Sequence, residues 1–161
     1  MPSPPLHPLL EPLAALVGTW QGTGTGSYPT IDDFEYREEL AISHVGKPFL
    51  TLHQRTRLAV DDSPSHTEVG YLRALGEGRV ELVVAQPTGV TETLVGTVAP
   101  RPEGVLVALA STAVALTPTA KSVTATERRL VLDGDLLIED TAMAAVGEAM
   151  THHVRAELRR A

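Results

Sequence analysis

Six histidines, at positions 7, 44, 53, 66, 152 and 153, are the groups in this chain best suited to hold a metal or move a proton near neutral pH. His7 lies in a Pro-rich arm and reads as solvated. His44 and His53 fall in a strand-rich stretch and read as polar strand residues. His66 follows Pro64-Ser65, as a turn-flanking surface histidine would. The adjacent pair His152-His153 poses a choice of facing. Val154, Ala156 and Leu158 share strand parity with His152, whereas His153 shares it with Arg155, Glu157 and Arg159. A regular strand therefore points His152 inward. A bulge near 153, or a loop before regular pairing begins, would reverse this. Zinc would need a third ligand, and none is evident.

Other chemistry is absent by pattern. Asp32-Asp33, Glu38-Glu39, Asp61-Asp62 and Glu139-Asp140 are sequence neighbours. Neighbours on a strand point to opposite faces, so they read as loop and rim charges rather than converging acids. No nucleophile elbow, zinc helix, P-loop or dinucleotide fingerprint occurs. With no cysteine, disulfides, thiolate metal sites and iron–sulfur clusters are excluded. The net charge of −7 argues against nucleic acid, which needs clustered Lys and Arg. No apolar run reaches the ~18 residues of a membrane span. Met1-Pro2-Ser3-Pro4-Pro5 has neither the basic nor the apolar region of a signal peptide. The expectation is a soluble, cytoplasmic protein with no membrane association.

The elements that would position these groups are mostly strands. Residues 1–8 predict an extended Pro-rich arm, and 9–161 a single domain. Leu9, Leu10, Leu13, Leu16 and Val17 recur at helical spacing and predict one short amphipathic helix stopped by Gly18. Beyond it, apolar and polar residues alternate, as at Val80, Leu82 and Val84 or Val90, Glu92 and Leu94. Asp133-Gly134 marks a hairpin, and other turn signals recur every dozen or so residues. The pattern predicts an all-β fold, a ten-stranded antiparallel up-and-down barrel closed to remove its edges. A lining of Val, Leu, Ala and Thr would leave room inside for a ligand.

The densest motif is Gly18-Thr19-Trp20-Gln21-Gly22-Thr23-Gly24-Thr25-Gly26. Glycines at alternate positions suggest close approach of a backbone or a flat group, or a barrel corner with Trp20 plugging one end. Gly18, Trp20, Gly22 and Gly24, followed by Tyr28-Pro29-Thr30-Ile31, resemble the motif of the nitrobindins. Phe34-x-Tyr36-x-Glu38-Glu39, Gly46-Lys47-Pro48, His66-x-Glu68-x-Gly70-Tyr71 and a closing His153 extend the resemblance, in order, from about residue 7 to the C-terminus.

The resemblance implies a barrel like those of lipocalins and fatty-acid-binding proteins, with haem b at its mouth. It implies a ferric form that converts peroxynitrite to nitrate and a ferrous form that binds nitric oxide. It places the proximal ligand at His153, with His152 a possible substitute, and sets His66 inside the cavity on the opposite side. Thr30, Met143 and Val123 would line the haem pocket, with Gln86 deeper. Lys121 and Arg128 are candidates to meet the haem propionates. A haem edge exposed at the mouth would suit a homodimer. Two other functions share the fold: a non-catalytic store or sensor of haem or nitric oxide, and a carrier of a fatty acid or another apolar molecule. The carrier would need an interior cation, for which Arg55 and Arg73 are candidates.

Overall fold

The computed structural model describes residues 1–161. Ten strands run β1 (Gly18–Tyr28), β2 (Ile31–His44), β3 (Phe49–Leu58), β4 (Pro64–Gly76), β5 (Arg79–Gln86), β6 (Val90–Arg101), β7 (Gly104–Leu116), β8 (Val123–Asp133), β9 (Leu136–Ala145) and β10 (Thr151–Arg160). Each pairs antiparallel with its sequence neighbour, and β1 closes on β10, giving the expected barrel. The hairpin that Asp133-Gly134 marks is present, shifted by one residue: Asp133 pairs with Leu136, and Gly134, at φ +61°, makes the tight β8–β9 turn with Asp135.

The helix differs from its expectation in type. Residues Pro8–Leu16 form a 3₁₀ helix. Pro12 has no N–H to give the carbonyl four residues back, and its ring would crowd that carbonyl, so an α-helix is blocked. The three-residue period puts Leu10, Leu13 and Leu16 on one face, all fully buried, and leaves Leu9 exposed. This face seals one end of the barrel. Trp20 Nε1 donates to Leu16 O at 2.8 Å, and the Arg160 guanidinium lies 4.3 Å over the Trp20 ring. The arm before the helix is not free either, since Pro4 and Pro5 lie against Gly46 and Leu6 packs on the core. No helix is long and apolar enough to cross a membrane.

Inward-facing side chains fall into three layers. Around the helix the lining is apolar, with Trp20, Leu40, Leu50, Leu72, Leu94, Leu132 and Leu158 almost fully buried. A polar belt follows, comprising Glu38, Gln54, Glu68, Glu92, Thr126, Arg128 and Glu139. Above it the mouth is open. The belt corrects the sequence reading twice. Glu38 and Glu139 are interior groups rather than rim charges, and the lining is not simply apolar. Their partners Glu39 and Asp140 face outward, so alternation separated each pair as expected but sent one member inside.

Candidate functional site

The mouth opens into a cavity of about 610 Å³, within the range of small-molecule sites. His153 lines it because β10 carries a bulge. His152 pairs with Ala142 and Val154 with Thr141, leaving His153 as the extra residue between them. The irregularity lets His153 and Val154 both line the cavity. His152 stays outside, half exposed, with Nε2 3.4 Å from Asp140 Oδ1.

Three contacts set the His153 ring. Its Nδ1 lies 3.1 Å from Ser27 O, and a carbonyl can only accept, so Nδ1 carries the proton. Nε2 is therefore the atom with a free lone pair. Tyr28 packs edge-on at 5.5 Å and Phe34 at 6.4 Å between ring centroids. Tyr28 is fixed in turn, its hydroxyl donating to Met143 O at 3.0 Å and accepting from Ala145 N at 3.0 Å. Burial lowers the pKa of His153; the Ser27 bond opposes this, and the charges of His152 and His66 add to it. The imidazole is thus neutral at neutral pH and available as a ligand.

The glycines of β1 serve this arrangement. A Cβ at Gly26 would stand 2.1 Å from the Phe34 ring, and one at Gly24 2.2 Å from the Tyr36 ring. The flat groups that the alternating glycines admit are these two aromatic rings, stacked from the mouth toward the belt.

Other expected site residues divide by position. His66, Met143, Val123, Thr30, Gln86 and Lys121 all line the cavity, with Thr30 and Lys121 exposed at the rim. His66 Nε2 sits 3.4 Å from Glu68 Oε2. His7 caps the 3₁₀ helix, His44 accepts from Gly46 N, and His53 is exposed. Arg55 and Arg73 pair on the outer surface with Glu39 and Glu81, so neither supplies the interior cation of a carrier.

Arg128 also departs from expectation. It is not at the rim to meet propionates but in the cavity floor, its side chain 14% exposed. It donates to Glu68 Oε1 at 2.5 Å and Oε2 at 3.1 Å, and to Glu92 Oε2. Burial would lower the Arg128 pKa, but the charges and hydrogen bonds of Glu68 and Glu92 raise it. Burial likewise works against ionised Glu68, yet Arg128 and His66 hold its carboxyl at about 2. Glu139 has no such partner, and burial together with Glu38 pushes its pKa well up. Glu92 was not among the expected site residues, although Val90, Glu92 and Leu94 share one parity. A carboxylate at an apolar parity is the signal that could have found it.

A closed antiparallel barrel with a neutral, oriented histidine at an open apolar mouth belongs to the ligand-binding barrels, in a form suited to a metal-centred flat cofactor. Residues 9–160 match the THAP4-like, haem-binding β-barrel domain family, and the chain belongs to it. It is 50% identical over 155 residues to peroxynitrite isomerase 2 of Mycobacterium marinum, covering 96% of each chain. Peroxynitrite isomerase of Nocardia farcinica is 46% identical over 159 residues, covering 99% of this chain and 95% of the relative. The crystal structure of Rv2717c from Mycobacterium tuberculosis superposes with a TM-score of 0.94 at 45% identity, covering 98% of this chain and 99% of that one. The residues present fit the family's haem. One imidazole nitrogen is free, Phe34, Val123, Met143 and Val154 give apolar walls, and the cavity is open at one end.

Proposed function

We propose that this protein binds haem b through His153 Nε2 at the barrel mouth and, in its ferric form, isomerises peroxynitrite to nitrate. The observation that carries the reading is the β10 bulge, which puts His153 in the cavity with its Nδ1–H committed to Ser27 O. That bond fixes the tautomer and leaves Nε2 as the donor atom. Bound there, ferric haem would supply a Lewis-acid centre for the substrate. The protein's part is to hold the imidazole and shape the pocket. Tyr28 and Phe34 stop the ring turning, while Met143, Val123 and Val154 would give a bound porphyrin apolar walls. His66 faces the cavity from β4 and Thr30 from the mouth loop. Lys121, exposed at the rim, would meet the propionates, since the Arg128 guanidinium is already taken by Glu68 and Glu92. Two curated relatives covering nearly the whole chain, both named peroxynitrite isomerase, support the activity.

The test is a ferric haemin titration followed at the Soret band for wild type, His153→Ala and His152→Ala/His153→Ala, with stopped-flow decay of peroxynitrite on the loaded protein. A one-to-one shift lost in His153→Ala, and accelerated decay to nitrate, is expected. Full haemin affinity in the double variant would overturn the ligand assignment. Tight haemin binding without acceleration would reduce the protein to a haem or nitric-oxide binder.

A further inference from the structure

The polar belt beneath the mouth plays no part in holding the imidazole, and burying so many charged groups is costly unless they are paired. Barrels of this shape that carry anionic ligands need an interior cation free to meet the ligand. Arg128 is the one cation buried here, and it is not free. Its two terminal nitrogens are taken by Glu68 and Glu92, and only Nε–H lacks a partner. Glu92, with a fully buried side chain, also accepts from Gln86 Nε2 at 2.9 Å and from the Thr126 hydroxyl. The guanidinium is thus bracketed by two carboxylates, themselves held by neighbouring donors. Beside it lie Glu38 and Glu139, whose buried Oε2 atoms have no donor other than the proton that Glu139 holds toward Glu38. Gln54 bonds Glu38 at 3.0 Å and, with Glu68, Arg128 and Thr141, lines both the main cavity and a small void next to Glu139.

We propose that Glu68 and Glu92 determine ligand specificity by neutralising Arg128, so that the chamber below the mouth excludes anions and takes an apolar molecule with a cationic head. A carboxylate entering the cavity meets at its floor Glu68 and a guanidinium already compensated, with the charge of buried Glu92 behind them, in a low-dielectric setting where the repulsion is poorly screened. An ammonium head instead meets the Glu68 carboxylate at the floor, where the neighbouring Glu92 and Glu38 leave the surroundings of Arg128 net negative. Nitrate formed at the mouth has no resting place beneath it and leaves by the opening. The inference does not depend on haem, because its residues lie below those that hold the imidazole.

The experiment titrates the full chain, with no haemin added, by calorimetry with dodecanoate and dodecylammonium below their micellar concentrations. Wild type is expected to bind the ammonium at least about tenfold more tightly than the acid. In Glu68→Gln/Glu92→Gln the guanidinium is uncompensated, and dodecanoate affinity is expected to rise at least about tenfold. Circular dichroism checks that the variant folds. If the double variant does not fold, Glu92→Gln alone is expected to show a smaller gain in the same direction. Wild type binding the acid as tightly as the ammonium, or failing to bind the ammonium, overturns the proposal. So does a folded variant with no gain for the acid. Absence of a haemin shift in wild type, with the headgroup preference intact, would overturn the haem reading and leave this one standing.

Discussion

Replacing Gly26 by Ala tests whether the β1 glycines serve the site through the aromatic stack. The added Cβ would stand 2.1, 2.4 and 2.7 Å from three Phe34 ring atoms. Ordinary contact begins near 3.4 Å, so the ring must retreat by roughly 1.3 Å, an overpacking that typically costs about 1 to 3 kcal/mol. For a chain of this size that is a fall in Tm of about 2 to 12 °C. Phe34 is free to move only toward the cavity, where its ring already lies 6.4 Å from His153 and 5.9 Å from Tyr36. The displacement therefore reaches the imidazole, and haemin affinity is expected to fall about tenfold, as when the support of a ligand histidine is disturbed. The control is Gly96→Ala, whose Cβ would stand 1.9 Å from the Ala108 carbonyl, where β6 nears the sealed end. Thermal unfolding by circular dichroism should show both variants destabilised. The Soret titration should show only Gly26→Ala weakened. Equal haemin affinity in the two variants would refute the idea that Phe34 holds His153, and an unchanged Tm in Gly26→Ala would refute the clash itself.

Two further outcomes concern stability. Glu139 has a raised pKa, so its contribution is fully present below the ordinary carboxylate range and is lost as pH rises towards the folded value. Glu68 runs the other way: its contribution is present above that range and lost as pH falls towards about 2. Glu139→Gln is expected to stabilise at pH 8 by about 1 to 4 kcal/mol and to flatten the decline in Tm above pH 5, since the amide can donate to Glu38 without ionising; a lower Tm at pH 8 would contradict it. Arg160→Ala removes the cation over Trp20 and the donors to Ala15 O and Val17 O. It should cost about 1 to 2 kcal/mol, redden Trp20 emission and speed amide exchange in the 3₁₀ helix. Unaltered exchange there would show that the seal does not depend on Arg160.

The barrel was legible because strand alternation and turn residues are local signals, and Asp133-Gly134 marks its hairpin to within one residue. The helix was legible as an element but not as a type. Leucines at 10, 13 and 16 fit a three-residue period as well as a 3.6-residue one, and Pro12 decides between them. His153 illustrates a different limit. Parity from Val154, Ala156 and Leu158 assigns the inward position to His152, and only a bulge, which depends on how β9 and β10 pair, reverses that. Nothing in residues 150–160 taken alone announces it. The aromatic neighbours of His153 come from β1 and β2, more than a hundred residues earlier, a proximity that exists only once β1 closes on β10.

The polar belt escaped the sequence for an energetic reason, and that reason ties the three layers together. Burial of carboxylates is disfavoured enough that a carboxylate on a strand is read as solvated by default. It becomes tolerable where one guanidinium serves two carboxylates and a proton serves a third, a condition met only by residues from β2, β4, β6, β8 and β9 together. The apolar end can support that cost: 22 buried residues, the three helix leucines among them, form one cluster that runs from the sealed end up to Tyr36. Stability concentrated there leaves the mouth free to carry features that cost stability, namely the bulge at His153 and Val146 at φ +47°, a conformation a β-branched residue rarely adopts. Both line the cavity. A belt made apolar would let the chamber dry and collapse onto the upper walls. A belt of uncompensated cations would draw carboxylates into the chamber beneath the mouth. The pairing of Arg128 with Glu68 and Glu92 avoids both, keeping the chamber open and polar without offering anions a site.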